Sequence, residues 1–171
     1  MHFKSALKIL AACAVVCAAV AAPARAEPLE SHYIIAVPAE NAGGAWTPSE
    51  AQVGDATSAL KRYLRAPVGQ VRLGSLNQRS ENERRAIGEA IDTYIFQFEG
   101  VRVSAANRIY DLDASGPKVI LINAFCRRSG VPDEMLTQHL VVVADGGACY
   151  FRALYDPDSQ DISYFQVNGR R

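Results

Sequence analysis

Few side chains in this chain combine the type and the spacing that catalysis needs. Cys149 and His139 are the sharpest pair, a thiol and an imidazole that would serve as nucleophile and base. That role needs a free thiol, and Cys126 competes for it. Asp111 and Asp113 stand two apart in "DLD", so on a strand both carboxylates face one side, as acid–base chemistry requires. The "ASGP" that follows gives the structural alternative, aspartates serving a turn. "DPDSQD" at 156–161 gathers carboxylates as a calcium loop does. Its sixth position is Asp161 and its twelfth is Val167, where an EF-hand needs glycine and glutamate. It reads as a turn around Pro157. His32 and His139 lack H-x-x-x-H spacing and a nearby cysteine pattern, so no zinc site is expected. "GSL" at 74–76 is not a nucleophile elbow, and no dinucleotide fingerprint or phosphate loop occurs. No catalytic set, metal or cofactor is therefore expected, with His139, Asp111 and Asp113 kept as candidates. Trp46, in a glycine-rich approach to the first helix, is the aromatic best placed for binding; a lid over the sheet edge is its structural reading.

The compartment bears on what the cysteines do. Lys4 and Lys8 precede an uncharged run from Ile9 to Ala22, and Ala24 and Ala26 follow it. This is the layout of a secretory signal peptide cut after Ala26. The run of 14 residues is shorter than the roughly 20 that a membrane span needs. "LAAC" ending at Cys13 looks like a lipobox, but only Ile9 to Ala12 separate it from Lys8, too little for an apolar region. Cleavage leaves residues 27–171, 145 in all, enough for one domain with a core. Those carry 15 basic and 18 acidic residues, a net of −3, which offers nucleic acid no electrostatic footprint. Cys13 and Cys17 leave with the signal. Cys126 and Cys149 then remain in an oxidising compartment, where a disulfide is favoured over a metal pair or a reactive thiol. A periplasmic or secreted protein that does not span a membrane is expected.

The elements that must position these residues follow from periodicity. "SHYIIAVPA" (31–39) predicts a short strand ended by Pro38. "TPSE" predicts a helix start with Thr47 as N-cap, Pro48 at the first position and Glu50 closing a capping box. Val53, Ala56, Leu60, Tyr63 and Leu64 then make one apolar face, with basic residues in the last turn and Pro67 as the stop. A second helix is predicted from Ser80 and Glu83 through Ile87, Ala90, Ile91 and Tyr94, weakened by Gly88. From Thr93 the period becomes two. Tyr94, Phe96 and Phe98 share one parity and Val101 and Val103 the other, so a bulge at Gly100 is expected. Residues 118–126, 139–145, 148–156 and 162–167 read as further strands, separated by turns such as Gly146-Gly147.

Helices followed by strands predict an α+β domain, with one or two helices packed on a bent antiparallel sheet of four to six strands, cystatin-like or NTF2-like. The string "ILINAFC…VVVADGGACYF…YDP…F.VNG" resembles small exported proteobacterial proteins of undefined role, over the C-terminal third. The resemblance implies the fold and carries no catalytic residue. Three function classes remain: a binding or inhibitory protein of the envelope, such as an immunity protein or hydrolase inhibitor; an NTF2-like enzyme; and a carrier of a small apolar ligand. The last two would use the concave face of the sheet. The first is preferred, with another envelope protein as partner, because no catalytic set is evident.

The bridge, if formed, restricts the sheet. In a meander of 118–126, 139–145 and 148–156, about 3.3 Å per residue sets the cysteines roughly 20 Å apart. A disulfide needs its Cα atoms within about 7 Å. The bridged alternative makes 148–156 the direct antiparallel neighbour of 118–126 and sends 139–145 to the far side. Ala124 then pairs with Phe151, Ile122 with Ala153, Ile120 with Tyr155, Phe125 with Tyr150, Asn123 with Arg152 and Leu121 with Leu154.

Overall fold

In the computed structural model of the chain, the residues described are 32–35, 45–67, 78–104, 115–127 and 132–169. The signal segment and Asp111 and Asp113 lie outside them. Helices α1 (Glu50–Arg65) and α2 (Gln78–Glu89) precede most of a five-stranded sheet: β1 (His32–Ile34), β2 (Tyr94–Arg102), β3 (Lys118–Cys126), β4 (Tyr150–Asp156) and β5 (Asp161–Val167). The strands lie in chain order, antiparallel except for β1, which runs parallel to β2. A four-residue helix α3 (Asp133–Leu136) lies between β3 and β4. The fold is α+β, with helices packed on an open, mostly antiparallel sheet.

Helix α1 starts two residues later than "TPSE" suggests. Ser49 is the N-cap: its hydroxyl accepts from the Gln52 N–H, and the Gln52 side chain accepts from the Ser49 N–H. This is a capping box one turn-half on, and Pro48 is left outside the helix, buried at the position of a hydrophobic staple. The predicted apolar face is the one that packs: Val53, Ala56, Leu60, Tyr63 and Leu64 are all buried. Helix α2 begins at Gln78, which puts Ser80 inside it rather than at its cap. Its weak point has a packing reason. A methyl on Gly88 would stand 3.1 Å from the Leu64 carbonyl oxygen, so glycine lets α2 approach α1 closely. Arg84 fastens the two helices. Fully buried, it donates to the carbonyls of Tyr63, Leu64 (2.8 Å) and Ala66 (2.6 Å), which end α1, and pairs with Glu81. Those of Leu64 and Ala66 are carbonyls that a helix terminus otherwise leaves without partners, while the Tyr63 carbonyl also accepts from the Ala66 N–H (3.3 Å).

On the α1 side, the sheet contributes Phe96, Phe98, Ile120, Ile122, Phe151 and Ala153, none of them solvent-exposed, to one large apolar core. Edge-on and tilted contacts join Tyr94, Phe96, Phe151 and Phe165 at ring separations of 5.3–6.3 Å, the arrangement aromatic quadrupoles favour. The parity switch in β2 has a different cause from the expected bulge. β2 pairs with β3 without interruption, Gly100 opposite Ile120, and is buried on both faces because it is a central strand. Gly100 is glycine because Trp46 lies against it: a methyl there would overlap the indole and the Trp46 carbonyl.

The β3–β4 register is the one the cysteines require, pair for pair from Ile120 with Tyr155 to Phe125 with Tyr150. Cys126 and Cys149 form a disulfide with Cα atoms 5.0 Å apart. Residues 139–145, however, form no strand. The far side of β3, where they were expected, belongs to β2. With that segment out of the sheet, β2–β5 are a simple meander and the bridge fits it.

Candidate functional site

The face of the sheet away from α1 carries a row of polar residues across every strand. In register, Tyr33 stands beside Gln97, Gln97 beside Asn123, Asn123 beside Arg152, and Arg152 beside Gln166. Gln97 and Asn123 are buried, which is tolerable only if their amides are fully bonded. They are. Gln97 Nε2 donates to the carbonyls of Leu136 (2.8 Å) and His139 (2.7 Å), while its Oε1 accepts from Asn123 Nδ2 (2.9 Å) and the Val141 N–H (2.8 Å). That uses both donors and both lone pairs of the amide. Asn123 Nδ2 also donates to the Val141 carbonyl (3.0 Å), and its Oδ1 accepts from Arg152 Nε (3.2 Å). At the far end Asn168 Nδ2 donates to the Val143 carbonyl (2.5 Å).

These bonds explain why residues 139–145 are not a strand. Side-chain amides have taken the backbone groups a sheet ladder would have used, and the segment lies as a strap over the face. Leu140 packs beneath it against Val101, Val103, Val119, Leu121 and Leu154, a second and smaller apolar cluster. The strap belongs to the loop that the disulfide closes. Gly146 and Gly147, at φ 116° and 56°, supply the left-handed backbone that turns it into β4.

The candidate residues that the structure describes do not converge. Cys149 is bridged to Cys126, so the proposed thiol nucleophile is absent and the Cys149–His139 pair falls with it. His139 sits on the strap with its side chain exposed; its carbonyl, not its imidazole, is engaged by Gln97. Trp46 takes the lid position. Its N–H and C=O pair with Gly100 (2.7 and 3.0 Å), its indole Nε1 donates to the Val101 carbonyl (3.3 Å), and Lys118 Nζ lies 5.2 Å from its ring centre. His32 Nε2 is 3.3 Å from Glu50 Oε2, with its ring edge-on to Phe98. The acidic turn is closed by Asp156, whose carboxylate accepts from the Asp158 N–H and the Ser159 hydroxyl (both 2.9 Å). Among the described residues no group of three His, Cys, Asp or Glu side chains is placed to hold a metal.

On the strap face, burial pushes the Glu99 carboxyl up. Between the helices, the hydrogen bond from Arg84 holds Glu81 low and burial pushes the Tyr63 phenol up. Two open grooves of about 660 and 510 Å³ flank the C-terminal end of α1, with Arg65, Arg85 and Glu89 on one and Lys61 and Arg62 on the other. Neither is lined by the sheet. Gln97 and Asn123 escaped sequence reasoning because a polar residue in a strand reads as solvent-facing. Their signal was the register, which sets Asn123 beside Arg152 and, through β2, beside Gln97. Comparison of the chain with protein-family models, with curated proteins and with solved structures gave no match.

Proposed function

We propose that the protein is an exported binding protein of the envelope, acting on another protein in the manner of an immunity factor or a hydrolase inhibitor. The observation that carries this reading is the structural employment, among the described residues, of the two thiols, the tryptophan and the buried amides. Both mature cysteines form the disulfide, the tryptophan is fixed against Gly100, and the buried amides hold the strap. What remains available is surface. The large apolar side chains most open to solvent among the described residues, Met135 and Val142, both lie in the disulfide-closed loop. The disulfide also supports an oxidising, extracytoplasmic location, and among the described residues no helix is long and apolar enough to cross a membrane. Use of the α1 side of the sheet by an enzyme or an apolar-ligand carrier would require displacing Phe96, Phe98 and Phe151, which are buried in the core there.

The test is a set of purified envelope hydrolases, cell-wall and peptide-bond cleaving, assayed with and without the mature protein. Stoichiometric inhibition of one of them, with no turnover by the protein itself, is expected. Hydrolysis by the protein that disappears on Asp111→Asn or His139→Ala would instead make it an enzyme.

A further inference from the structure

Gly88 and Gly100 are glycine because a methyl would strike a neighbour, and Gly146 because its φ is 116°. Gly169 has neither reason. Its φ lies outside the left-handed region, it is exposed, and a methyl added to it would meet nothing within 4 Å. The fold would accept another residue there. What glycine provides instead is access to its own backbone nitrogen. Asn168 precedes it and is the only asparagine of the chain followed by glycine. With no side chain in the way and a permissive backbone, that nitrogen can reach the preceding carboxamide. Among the described residues the Gly169 N–H donates to no group. Asn168 is also what pins the end of the strap. Its Nδ2 donates to the Val143 carbonyl (2.5 Å) and its N–H to the Tyr150 carbonyl (2.9 Å), while the Gly169 carbonyl accepts from the Gly147 N–H (3.0 Å).

We infer that Asn168 is a deamidation site, and that its conversion to aspartate or isoaspartate releases this end of the strap. The Gly169 nitrogen attacks Asn168 Cγ and closes a succinimide ring. The Cγ–Nδ2 bond breaks, and ammonia leaves with the proton that the Gly169 nitrogen gives up. Water then opens the ring. Cleavage at Cγ gives aspartate on the original backbone; cleavage at the main-chain carbonyl gives isoaspartate, with the chain running through Cγ. Ring closure competes with the bonds that Asn168 makes to Val143 and Tyr150, so it proceeds when this end of the strap opens. The change is one-way. A carboxylate at 168 is ionised at neutral pH, has no hydrogen to donate, and sets its charge against the Val143 carbonyl oxygen. Isoaspartate also lengthens the backbone by a methylene, which draws the Gly169 carbonyl away from Gly147. The Gln97 and Asn123 bonds to Val141 are untouched, so the release is local. This inference stands apart from the proposed function and is tested without it.

The test is peptide mapping by mass spectrometry of the mature, oxidised protein after incubation at mildly alkaline pH. Asn168 should convert to a pair of products, aspartate and isoaspartate, while Asn123, buried and followed by alanine, stays an amide. Unfolding in denaturant should speed conversion of Asn168 by roughly tenfold or more, because the opening step is then complete. Gly169→Ala, whose methyl has open space, should fold as the parent does and lose most of the conversion. For the consequence, Asn168→Asp stands in for one product. Its Val143 carbonyl carbon resonance should move away from the hydrogen-bonded value, with amide protection at Val141 unchanged. An Asn168 that stays intact under these conditions would overturn the inference. So would conversion as fast in the folded as in the unfolded chain, or a Val143 resonance that Asn168→Asp leaves in place.

Discussion

The two faces of the sheet are covered by different physics. On one, α1 lies on a continuous apolar core in which aromatic rings from β2, β4 and β5 meet. On the other, a stretch without regular structure is held over a small apolar cluster by amide side chains of β2 and β3 and by Asn168. Burial is non-directional, and a core of this kind tolerates exchange of one apolar side chain for another of similar volume. Hydrogen bonds to buried amides are directional, and a missing partner leaves the other group unsatisfied. The helix side is therefore expected to absorb conservative changes, and the strap side to fail at single atoms.

The largest effect should come where the helix side departs from that rule. Arg84→Met takes a partner from the carbonyls of Tyr63, Leu64 and Ala66 at the end of α1 and from Glu81, and should cost about 3–5 kcal/mol in denaturant unfolding, as breaking a buried ion pair does. A cost below about 1 kcal/mol would show that apolar packing alone holds the helices. Next, Cys126→Ser opens the loop that carries the strap. The chain-entropy contribution is about 3 kcal/mol, read as a lowered melting temperature. Tyr63→Phe should act in the opposite direction. The Tyr63 hydroxyl is buried with no hydrogen-bond partner among the described residues, so its removal should stabilise the fold by about 1 kcal/mol.

The smallest effect is one of pH, and it separates the two regions by sign. On the strap side, burial raises the Glu99 carboxyl, so the folded chain keeps a proton that the unfolded chain releases. Stability falls as pH rises from the ordinary glutamate range through the raised value. Glu99→Gln should therefore be more stable than the parent at neutral pH, with the difference vanishing below about pH 4. Between the helices, Arg84 lowers Glu81 by hydrogen bonding, so its contribution is full above the ordinary range and is lost as pH falls through the lowered value. Melting curves across pH for Glu99→Gln and Glu81→Gln should diverge in opposite directions.

How much of this was legible in the chain depended on whether the deciding interaction was local. The apolar face of α1 is written in the spacing of Val53, Ala56, Leu60 and Leu64. The β3–β4 register is long-range, yet two cysteines and the reach of a disulfide were enough to set it. The strap was misread as a strand because Leu140 to Val143 have strand composition, and only the tertiary competition from Gln97 and Asn123 withdraws their backbone. Gly100 signalled a real peculiarity, but its cause, the indole of Trp46, lies far away in sequence. Ser49 displaced Thr47 as cap because both fit a capping box and the burial of Pro48 decides between them. Of the candidate site, the bridge and the lid role of Trp46 could be read. The amide row could not be, since its members become neighbours only once the sheet is assembled.

The most direct measurement is amide hydrogen exchange at two adjacent residues, Val141 and Val142, in dilute oxidised protein. The Val141 N–H is bonded to Gln97 and the Val142 N–H has no hydrogen-bond partner among the described residues, so Val141 should be protected and Val142 should exchange nearly as in an unfolded chain. In Gln97→Leu, protection at Val141 should disappear while the β3 and β4 amides, led by Ile122 and Ala153, keep theirs. Equal protection of the two valines in the parent, or loss of Val141 protection only together with the whole sheet, would contradict a strap held by side-chain amides.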